Sequence, residues 1–254
     1  MSEVNQNQNV LLVTGANRGI GYAVAKKGAE IGYSVAVHYG RHREEADELV
    51  YELTSFGHRA IAVCADISDE NEVVSMFNKI DKELGTISAL VNNAGGIVEI
   101  SSIADITFET IKRTLLVNLA GPIICAREAV KRMSMVRGGK GGSIVNISSM
   151  AAVLGGLPHE VHYAASKGGV DSFTIGLARE VAMEGIRVNA VRPGVIDTPI
   201  HIAHGGDEFL KKFSENLPMK RPGLPAEVAE AVIWLLSPSA SYVTGSILNV
   251  SGGR

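Results

Sequence analysis

A tyrosine and a lysine stand four residues apart in the segment YAASK, as Tyr163 and Lys167. Side chains with this spacing share one face of a helix and can approach the same point. A phenol has a pKa of about 10 in water and exchanges protons poorly at neutral pH. An ammonium about 5 Å away, at an effective dielectric of about 20, favours the phenolate by roughly 3 kcal/mol. The pair therefore predicts a tyrosine whose pKa is lowered for general acid–base catalysis, although the same spacing also occurs by chance on exposed helices.

Polar residues at two other places in the sequence are candidates for the same site: the serines at residues 148 and 149, and Asn118. The β-rich run Ser143–Ile147 predicts a strand that ends at Ser148 and Ser149. Ligands of parallel sheets bind outside the carboxyl ends of the strands, so a serine here can donate a hydrogen bond to a substrate carbonyl oxygen. Asn118 lies in the middle of a long helical pattern, where asparagine is a slightly costly choice unless it is capped or solvated.

A glycine-rich turn near the start of the chain stands between a strand and a helix. The apolar run Val10–Val13 suits a central parallel strand, and the sequence TGANRGIG follows it directly, before a helical pattern. This arrangement points the N-terminus of a helix at a phosphate. Gly15 allows a tight turn, Gly19 leaves room for a pyrophosphate, and Gly21 lets the helix pack closely on the strand. A glycine-rich turn without a ligand is the alternative.

Strand-like and helix-like segments alternate along the rest of the chain. Further strands are predicted at Ser34–His38, Ala60–Cys64, Ile87–Val91, Ser143–Ile147, around Ile186, Val188 and Val191, and at Ser246–Val250. Helices are predicted at Glu44–Phe56, Glu70–Leu84, Phe108–Met133, 161–184 and Glu227–Leu236. Strands that alternate with helices of this length imply parallel βαβ units with right-handed crossovers. Because no linker or repeat divides the chain, residues 1–254 are expected to form one domain that includes a polar tail at residues 1–9.

The composition argues against several classes of protein. The chain has 254 residues, of which 46% are hydrophobic and 20% charged, with a formal net charge of −3. No basic run could neutralise the phosphates of a nucleic acid, so no nucleic-acid partner is expected. The first nine residues lack the apolar segment of a secretion signal, and no run approaches the ~18 apolar residues that span a membrane. With only Cys64 and Cys125, both in apolar surroundings, we expect buried reduced thiols in a soluble cytoplasmic protein.

The order of the motifs resembles that of the short-chain dehydrogenase/reductase family, along residues 10–253. The glycine-rich turn comes first, followed by Asp66 at a strand end, NNAG at residues 92–95 and the YxxxK pair. The resemblance implies an α/β, three-layer, Rossmann-type doubly wound fold with a seven-stranded parallel sheet. It also implies an NAD(P)-dependent enzyme that transfers a hydride between a nicotinamide and a carbonyl or secondary alcohol carbon.

The resemblance assigns catalytic roles to four side chains. Tyr163 would give its proton to a carbonyl oxygen, which Ser149, rather than Ser148, would orient and polarise. Lys167 would lower the pKa of the tyrosine and hold the nicotinamide ribose. Asn118 would distort its helix locally and hold a water that links Lys167 to solvent.

The resemblance also marks the residues that would bind the cofactor. Asp66 would bond the adenine, with a helix N-cap as an equally good reading. Asn92, Ala94 and Gly95 would line the cleft and brace the sheet, and Thr198 would lie near the nicotinamide carboxamide or a phosphate. The complete predicted set is Gly15, Asn17, Arg18, Gly19, Ile20, Gly21, Arg41, Asp66, Ile67, Asn92, Ala94, Gly95, Tyr163, Lys167, Pro193, Gly194, Ile196 and Thr198.

The end of the second strand indicates which cofactor is preferred. Enzymes that use NAD place an acidic residue there, where it accepts bonds from the ribose hydroxyls. In this chain the position falls at about Tyr39, and no acidic residue follows until Glu44. Arg18 and Arg41 are close by, and a guanidinium can make two parallel hydrogen bonds to a phosphate. We therefore expect NADP(H) to be preferred and NAD(H) to be possible; the alternative is that both arginines are solvated surface charges.

The expected substrate is a small carbonyl or alcohol of sugar, polyol or oxoacyl type, since reductases of all these kinds share the motifs and differ in variable loops. Residues 195–215 are expected to form a substrate lid. His201 and His204 lack a suitably spaced carboxylate, so a loop is favoured over a metal site and no metal is expected. The resemblance implies a homotetramer. The alternative functions are a catalytically silent dinucleotide-binding regulator, and a sugar-nucleotide epimerase or dehydratase. Enzymes of the second kind share the YxxxK pair but usually have a longer C-terminal substrate domain than this chain.

Overall fold

The computed structural model describes residues 9–200 and 205–254. Its strands are β1 (Val10–Val13), β2 (Ser34–Tyr39), β3 (Ala60–Cys64), β4 (Ile87–Asn92), β5 (Gly142–Ile147), β6 (Ile186–Pro193) and β7 (Ile247–Val250). Its α-helices are α1 (Gly19–Glu30), α2 (Arg43–Ser55), α3 (Glu70–Glu83), α4 (Phe108–Leu115), α5 (Gly121–Met133), α6 (Ala151–Leu154), α7 (Val161–Val181), α8 (Asp207–Ser214) and α9 (Pro225–Leu236). Every strand predicted from the sequence is present, with nearly the same ends.

The strands form one parallel sheet in the order β3-β2-β1-β4-β5-β6-β7. The chain winds outward from β1 to β3 and then returns to the other side of β1 with β4. This reversal opens a crevice beyond the carboxyl ends of β1 and β4, which is where ligands bind in sheets of this kind. The seven-stranded, doubly wound fold predicted from the sequence is confirmed.

The central strand β1 contributes to two cores, one on each face of the sheet. Leu11 and Val13 pack in one core with residues of α1, α2 and α9. Val10 and Leu12 pack in the other with residues of α3, α5 and α7. Burying a side chain of this size is worth about 1.5–3 kcal/mol, so a continuous apolar run stabilises a strand that is covered on both faces.

The long helix predicted around Asn118 is interrupted. α4 gives way to one turn of π-helix at Leu116–Ala120, in which the Gly121 N–H donates to the Leu116 carbonyl oxygen, five residues back. The residue four positions after Asn118 is Pro122, which has no N–H to donate to the Asn118 carbonyl. The distortion expected at Asn118 is therefore confirmed, and the proline supplies a physical reason for it.

One other expectation differs from the structure. Cys64 is exposed rather than buried, because it ends the edge strand β3, whereas Cys125 is buried as expected. The helix α8 lies within residues 195–215, the segment expected to form a substrate lid. His201 and His204 lie outside the described residues. In the described part of the chain, no helix has the length and apolar character needed to cross a membrane.

Candidate active site

A cleft of about 760 Å³ lies beyond the carboxyl ends of the strands. Residues that follow β1, β2, β3, β4, β5 and β6 form its walls, so positions far apart in the sequence meet there. Cofactor and small-molecule sites occupy about 300–1,000 Å³, and this cleft falls within that range. Among residues 9–200 and 205–254, no group of three or more histidine, cysteine, aspartate or glutamate side chains could hold a metal ion.

The glycine-rich turn forms one end of the cleft. A Cβ at Gly21 would collide with the Gly15 carbonyl oxygen, so only glycine lets α1 start this close to the turn. The side-chain amide of Asn93 donates to the carbonyl oxygens of Thr14 and Gly15, both at 2.9 Å. Thr14 Oγ1 in turn accepts from the N–H groups of Asn93 and Ala94. Asn93 therefore fixes the turn, a role that was not predicted for this member of the NNAG motif.

The first turn of α1 borders the cleft and favours an anion. The first N–H groups of a helix have no partner within it, and the helix dipole makes this end positive. The N-cap residue Arg18 makes no side-chain capping bond, and no acidic side chain stands in the first turn. Arg18, Gly19 and Ile20 line the cleft. This donor set fits the pyrophosphate of a dinucleotide cofactor.

His38, near the end of β2, joins the glycine-rich turn to β3. Its side chain is 2% exposed, and its Nδ1 accepts the Gly15 N–H at 2.9 Å. Its Nε2 lies 2.9 Å from the Ala65 carbonyl oxygen and must carry the proton, since a carbonyl can only accept. The two contacts select one neutral tautomer. Burial lowers the pKa of His38 from 6.5 to about 4, against smaller opposing effects of the Ala65 bond and Asp66.

Because a protonated His38 would turn an N–H toward the Gly15 N–H, we expect the folded protein to lose stability in acid. The contribution of neutral His38 is complete above its ordinary pKa of 6.5 and is lost as the pH falls to about 4. The shift corresponds to on the order of 3 kcal/mol in the free energy of unfolding. Denaturant unfolding at several pH values in this window measures the decline.

His38→Asn should flatten that decline, because asparagine offers an acceptor that does not titrate in this range. The matched control is His42→Asn, which changes an exposed imidazole near the same strand end and should leave the pH dependence as it is. A decline of the same size in His38→Asn and the wild-type protein would contradict the role given to His38.

Asp66 follows β3 and holds its carboxylate in the wall of the cleft. One oxygen accepts from the N–H and the hydroxyl of Ser68, at 2.9 and 2.6 Å, and the other accepts from Arg113 of α4 at 3.2 Å. Burial acts against ionisation of Asp66, but the bonds from Ser68 and Arg113 outweigh it and lower its pKa. The N-cap of α3 is Asp69, so the capping role considered for Asp66 is wrong.

Asn92 lies beneath the cleft rather than in its wall. Its side chain is 3% exposed, and its Nδ2 donates to the Pro122 carbonyl oxygen at 3.1 Å and to Asn146 Oδ1 at 2.9 Å. These bonds tie β4 to β5 and α5. The predicted brace is therefore present, but the described residue that lines the cleft at this point is Asn93.

Ser149, Tyr163 and Lys167 meet at another end of the cleft. The helix α7 carries the tyrosine and the lysine, and Lys167 Nζ lies 5.9 Å from the centre of the tyrosine ring. The Ser149 hydroxyl interacts with the Tyr163 phenol and acts to lower its pKa. The Ser148 hydroxyl instead donates to the Lys167 carbonyl oxygen at 3.3 Å. The orientation of the two hydroxyls therefore favours Ser149 over Ser148.

The pKa of Tyr163 is raised, so the predicted lowering is wrong. Its pKa is about 12: burial is the largest cause of the increase, the Ser149 hydroxyl acts against it, and the Glu160 carboxylate adds to it. The Lys167 ammonium donates to the Ile147 carbonyl oxygen at 2.8 Å, and burial lowers the pKa of Lys167 to about 8. The cost of removing a phenolate from water thus outweighs the attraction of this ammonium. A phenol with such a pKa is protonated at neutral pH and can donate its proton.

Asn118 is fully buried behind the wall of the cleft. Its Oδ1 accepts the Gly96 N–H at 2.8 Å, and its Nδ2 donates to the Gly96 carbonyl oxygen at 2.9 Å. A Cβ on Gly95 would lie 2.5 Å from Asn118 Oδ1, so glycine is required there. The side chain of Asn118 therefore anchors the loop that follows β4.

Arg18 and Arg41 both line the cleft, near the ends of β1 and β2. In the part of the chain that the structure describes, neither guanidinium is paired with a carboxylate. Tyr39, which ends β2, is 8% exposed.

Glu45 reaches the glycine-rich turn and accepts from Asn17 Nδ2 at 2.6 Å, a contact that the sequence did not indicate.

The cleft collects most of the residues predicted to bind the cofactor. Those in its wall are Gly15, Asn17, Arg18, Gly19, Ile20, Arg41, Asp66, Ile67, Ala94, Gly95, Tyr163, Lys167, Pro193, Gly194, Ile196 and Thr198. Gly21 and Asn92 support the cleft from behind. The wall also contains residues to which the sequence pattern gave no role, among them His38, Asn93, Arg113, Glu160 and Arg254.

Known proteins resemble the chain over nearly its whole length. The family model described as enoyl-(acyl carrier protein) reductase matches residues 15–254. The chain is 48% identical over 245 residues to the uncharacterized oxidoreductase YgfF of Escherichia coli, covering 96% of this chain and 99% of that protein. It is 36% identical over 242 residues to the 3-oxoacyl-(acyl-carrier-protein) reductase FabG of Staphylococcus aureus, covering 95% and 96%. The crystal structure of a candidate gluconate dehydrogenase from Agrobacterium tumefaciens matches with a TM-score of 0.89 and 32% identity, covering 98% and 96%.

The chain belongs to the short-chain dehydrogenase/reductase family. It is an oxidoreductase of the kind that acts on CH–OH or carbonyl groups, and members of the family use NAD(P)(H). The parallel sheet, the cleft at its reversal and the glycine-rich turn at the N-terminus of α1 agree with that assignment.

Proposed function

We propose that this chain is an NADP-preferring oxidoreductase that interconverts a small carbonyl compound and its secondary alcohol. The observation that carries the proposal is the meeting of Ser149, Tyr163 and Lys167 in one cleft with the glycine-rich turn. A screen of NADPH oxidation against sugars, diketones, quinones and acyl thioesters tests it. If no compound of the panel raises the rate of NADPH oxidation above the rate without protein, the proposal is contradicted.

In carbonyl reduction, the substrate oxygen would lie between the hydroxyls of Ser149 and Tyr163. Ser149 donates a hydrogen bond that stabilises the negative charge developing on that oxygen. Tyr163, which a pKa of about 12 keeps protonated, gives the oxygen its proton. The nicotinamide supplies the hydride when bound, and the protein supplies position and electrostatics.

Tyr163 must recover its proton after each turnover. Lys167 stands beside it with a pKa lowered to about 8 by burial, so its ammonium can pass on a proton near neutral pH. The Asn118 carbonyl, to which Pro122 cannot donate, is the group that we assign to hold a water between Lys167 and solvent. Lys167 would also hold the nicotinamide ribose, and Asn118 is a positioning residue.

Arg18→Ala and Arg41→Ala should each weaken NADPH binding and leave NADH binding nearly unchanged. The 2′-phosphate that distinguishes the two cofactors is the group that a guanidinium binds best. Each contact is worth about 1.5–3 kcal/mol, or roughly ten- to a hundredfold in affinity. Fluorescence titration with both cofactors measures the dissociation constants.

Arg43→Ala is the matched control, because Arg43 also follows β2 but is exposed and paired with Asp47 on α2. Its removal should leave both affinities unchanged. If the wild-type protein binds NADH more tightly than NADPH, the proposed cofactor preference is wrong. The proposed reaction, hydride transfer to a carbonyl compound, would not be contradicted by that result.

We further propose that residues 1–254 act as one domain in which residues 195–215 cover the substrate. Support comes from Val195, Ile196, Thr198, Pro199 and Ile200, which line the cleft. A homotetramer is also proposed. One of its interfaces is supported by an apolar groove of about 350 Å³ along α4, the π-helical turn and the start of α5, which a second copy of the chain would cover. The free thiols support a cytoplasmic location.

A further inference from the structure

The loop between α6 and α7 brings a buried carboxylate to the wall of the cleft. Glu160 is 3% exposed and precedes α7 as its N-cap residue, where the helix dipole favours a negative charge. Its Oε2 accepts the Leu157 N–H at 3.2 Å. His159 has a φ of 70°, and its carbonyl oxygen accepts the Ser101 N–H at 3.1 Å. Left-handed backbone at a non-glycine residue persists where its surroundings fix it, so the loop holds Glu160 firmly.

Arg254, which follows β7, brings the opposite charge to the same part of the cleft. Its guanidinium carbon lies 4.8 Å from the ring centre of Phe213 on α8, and the residue lines the cleft. Burial lowers the pKa of Arg254, and the negative charge of Glu160 acts in the opposite direction. The two opposite charges therefore attract each other in this part of the cleft.

Tyr163 stands three residues after the N-cap residue Glu160, in the first turn of α7, and both line the cleft. The N-cap residue and the third residue of a helix lie close enough for their groups to interact. Among the described residues, the Glu160 charge acts on Tyr163, the Asp171 charge acts on Lys167, and Arg254 lines the cleft and interacts with Glu160. His162, also on α7, is engaged with the Glu99 carbonyl oxygen. The other charged residues in the wall lie toward the glycine-rich turn and β3: Arg18, Arg41, Asp66 and Arg113.

We propose that Glu160 and Arg254 together set the pH range in which Tyr163 exchanges its proton, with Glu160 as a positioning residue and Arg254 as its counter-charge. A negative charge beside a phenol favours the protonated form, which is the form that reduces a carbonyl. Arg254 limits this effect, so that the phenolate can still form when an alcohol is oxidised. The inference rests on the proposed role of Tyr163 as acid and base.

Glu160→Gln tests the inference, because glutamine keeps an oxygen for the Leu157 N–H and removes the charge. We expect the alkaline midpoint of kcat against pH to move to lower pH by about one unit. The rate is measured with NADPH and whichever carbonyl of the panel is reduced fastest. Arg254→Met should move the midpoint to higher pH. Glu180→Gln changes an exposed carboxylate on the same helix and is the matched control, with no shift expected.

Opposite shifts in the two cleft variants, with NADPH affinity unchanged, would support the inference. The affinity measurement shows that the cleft is still formed in each variant. Midpoints equal to that of the wild-type protein in both variants would overturn the inference; if Tyr163→Phe is inactive at the same time, the proposed function stands. Full turnover in Tyr163→Phe would overturn both.

Discussion

Tyr163→Phe should reduce turnover by about 10²–10⁴-fold while cofactor binding is kept. Phenylalanine preserves the buried ring on α7 but lacks the hydroxyl group and its proton. Steady-state rates of carbonyl reduction, together with fluorescence titration of NADPH, measure the two expectations on one sample.

Tyr242→Phe is the matched control, because Tyr242 is fully exposed and should tolerate the change without loss of rate. A Tyr163→Phe protein that turns over at nearly the wild-type rate would remove the proposed acid. With the phenol pKa at about 12, the wild-type rate of the protonation step should stay level through neutral pH and fall only in alkaline solution.

Lys167→Ala should lower both turnover and cofactor affinity, since Lys167 is given two roles. Its ammonium would pass a proton to Tyr163 and would make a charge-assisted bond to the nicotinamide ribose. We expect kcat to fall about 10²-fold. We expect the cofactor affinity to fall roughly ten- to a hundredfold. Rates at saturating cofactor and a separate binding titration distinguish the two effects.

Lys167→Met separates the charge from the packing of the side chain. Lys167 is 5% exposed, and methionine fills most of the space of its stem. The Ile147 carbonyl oxygen loses its donor in both variants, at about 1–3 kcal/mol of stability, which thermal unfolding would reveal. A folded Lys167→Met protein with wild-type rate and affinity would contradict both roles.

The sequence by itself determined the fold class and most of the cleft. The run Val10–Val13 is apolar throughout because β1 is covered on both faces, and that pattern is visible without the structure. The glycine-rich turn and the pair formed by Tyr163 and Lys167 depend on backbone conformation and helix periodicity, which act over a few residues. Patterns that depend on a few neighbouring residues can be recognised in the sequence alone. This is why sixteen of the predicted cofactor-binding residues line the cleft.

Only the tertiary structure decided which neighbours each polar side chain meets. Asn92 and Asn93 are adjacent and identical, yet Asn92 bonds to Asn146 inside the sheet while Asn93 bonds to the carbonyl oxygen of Thr14 in the glycine-rich turn. Successive side chains at a strand end point in different directions, and the partners lie on other strands. His38 was missed for the same reason, since both its partners are distant in the sequence.

The protonation of Tyr163 was decided in the same way. Spacing along α7 places a lysine near the phenol, and on that basis alone its pKa should fall. The folded chain surrounds the ring, directs the Lys167 ammonium to the Ile147 carbonyl oxygen and adds the Glu160 carboxylate, so the pKa rises to about 12. Desolvation and charge effects sum over every group that the fold brings near, whereas a sequence motif reports only the neighbours along one helix.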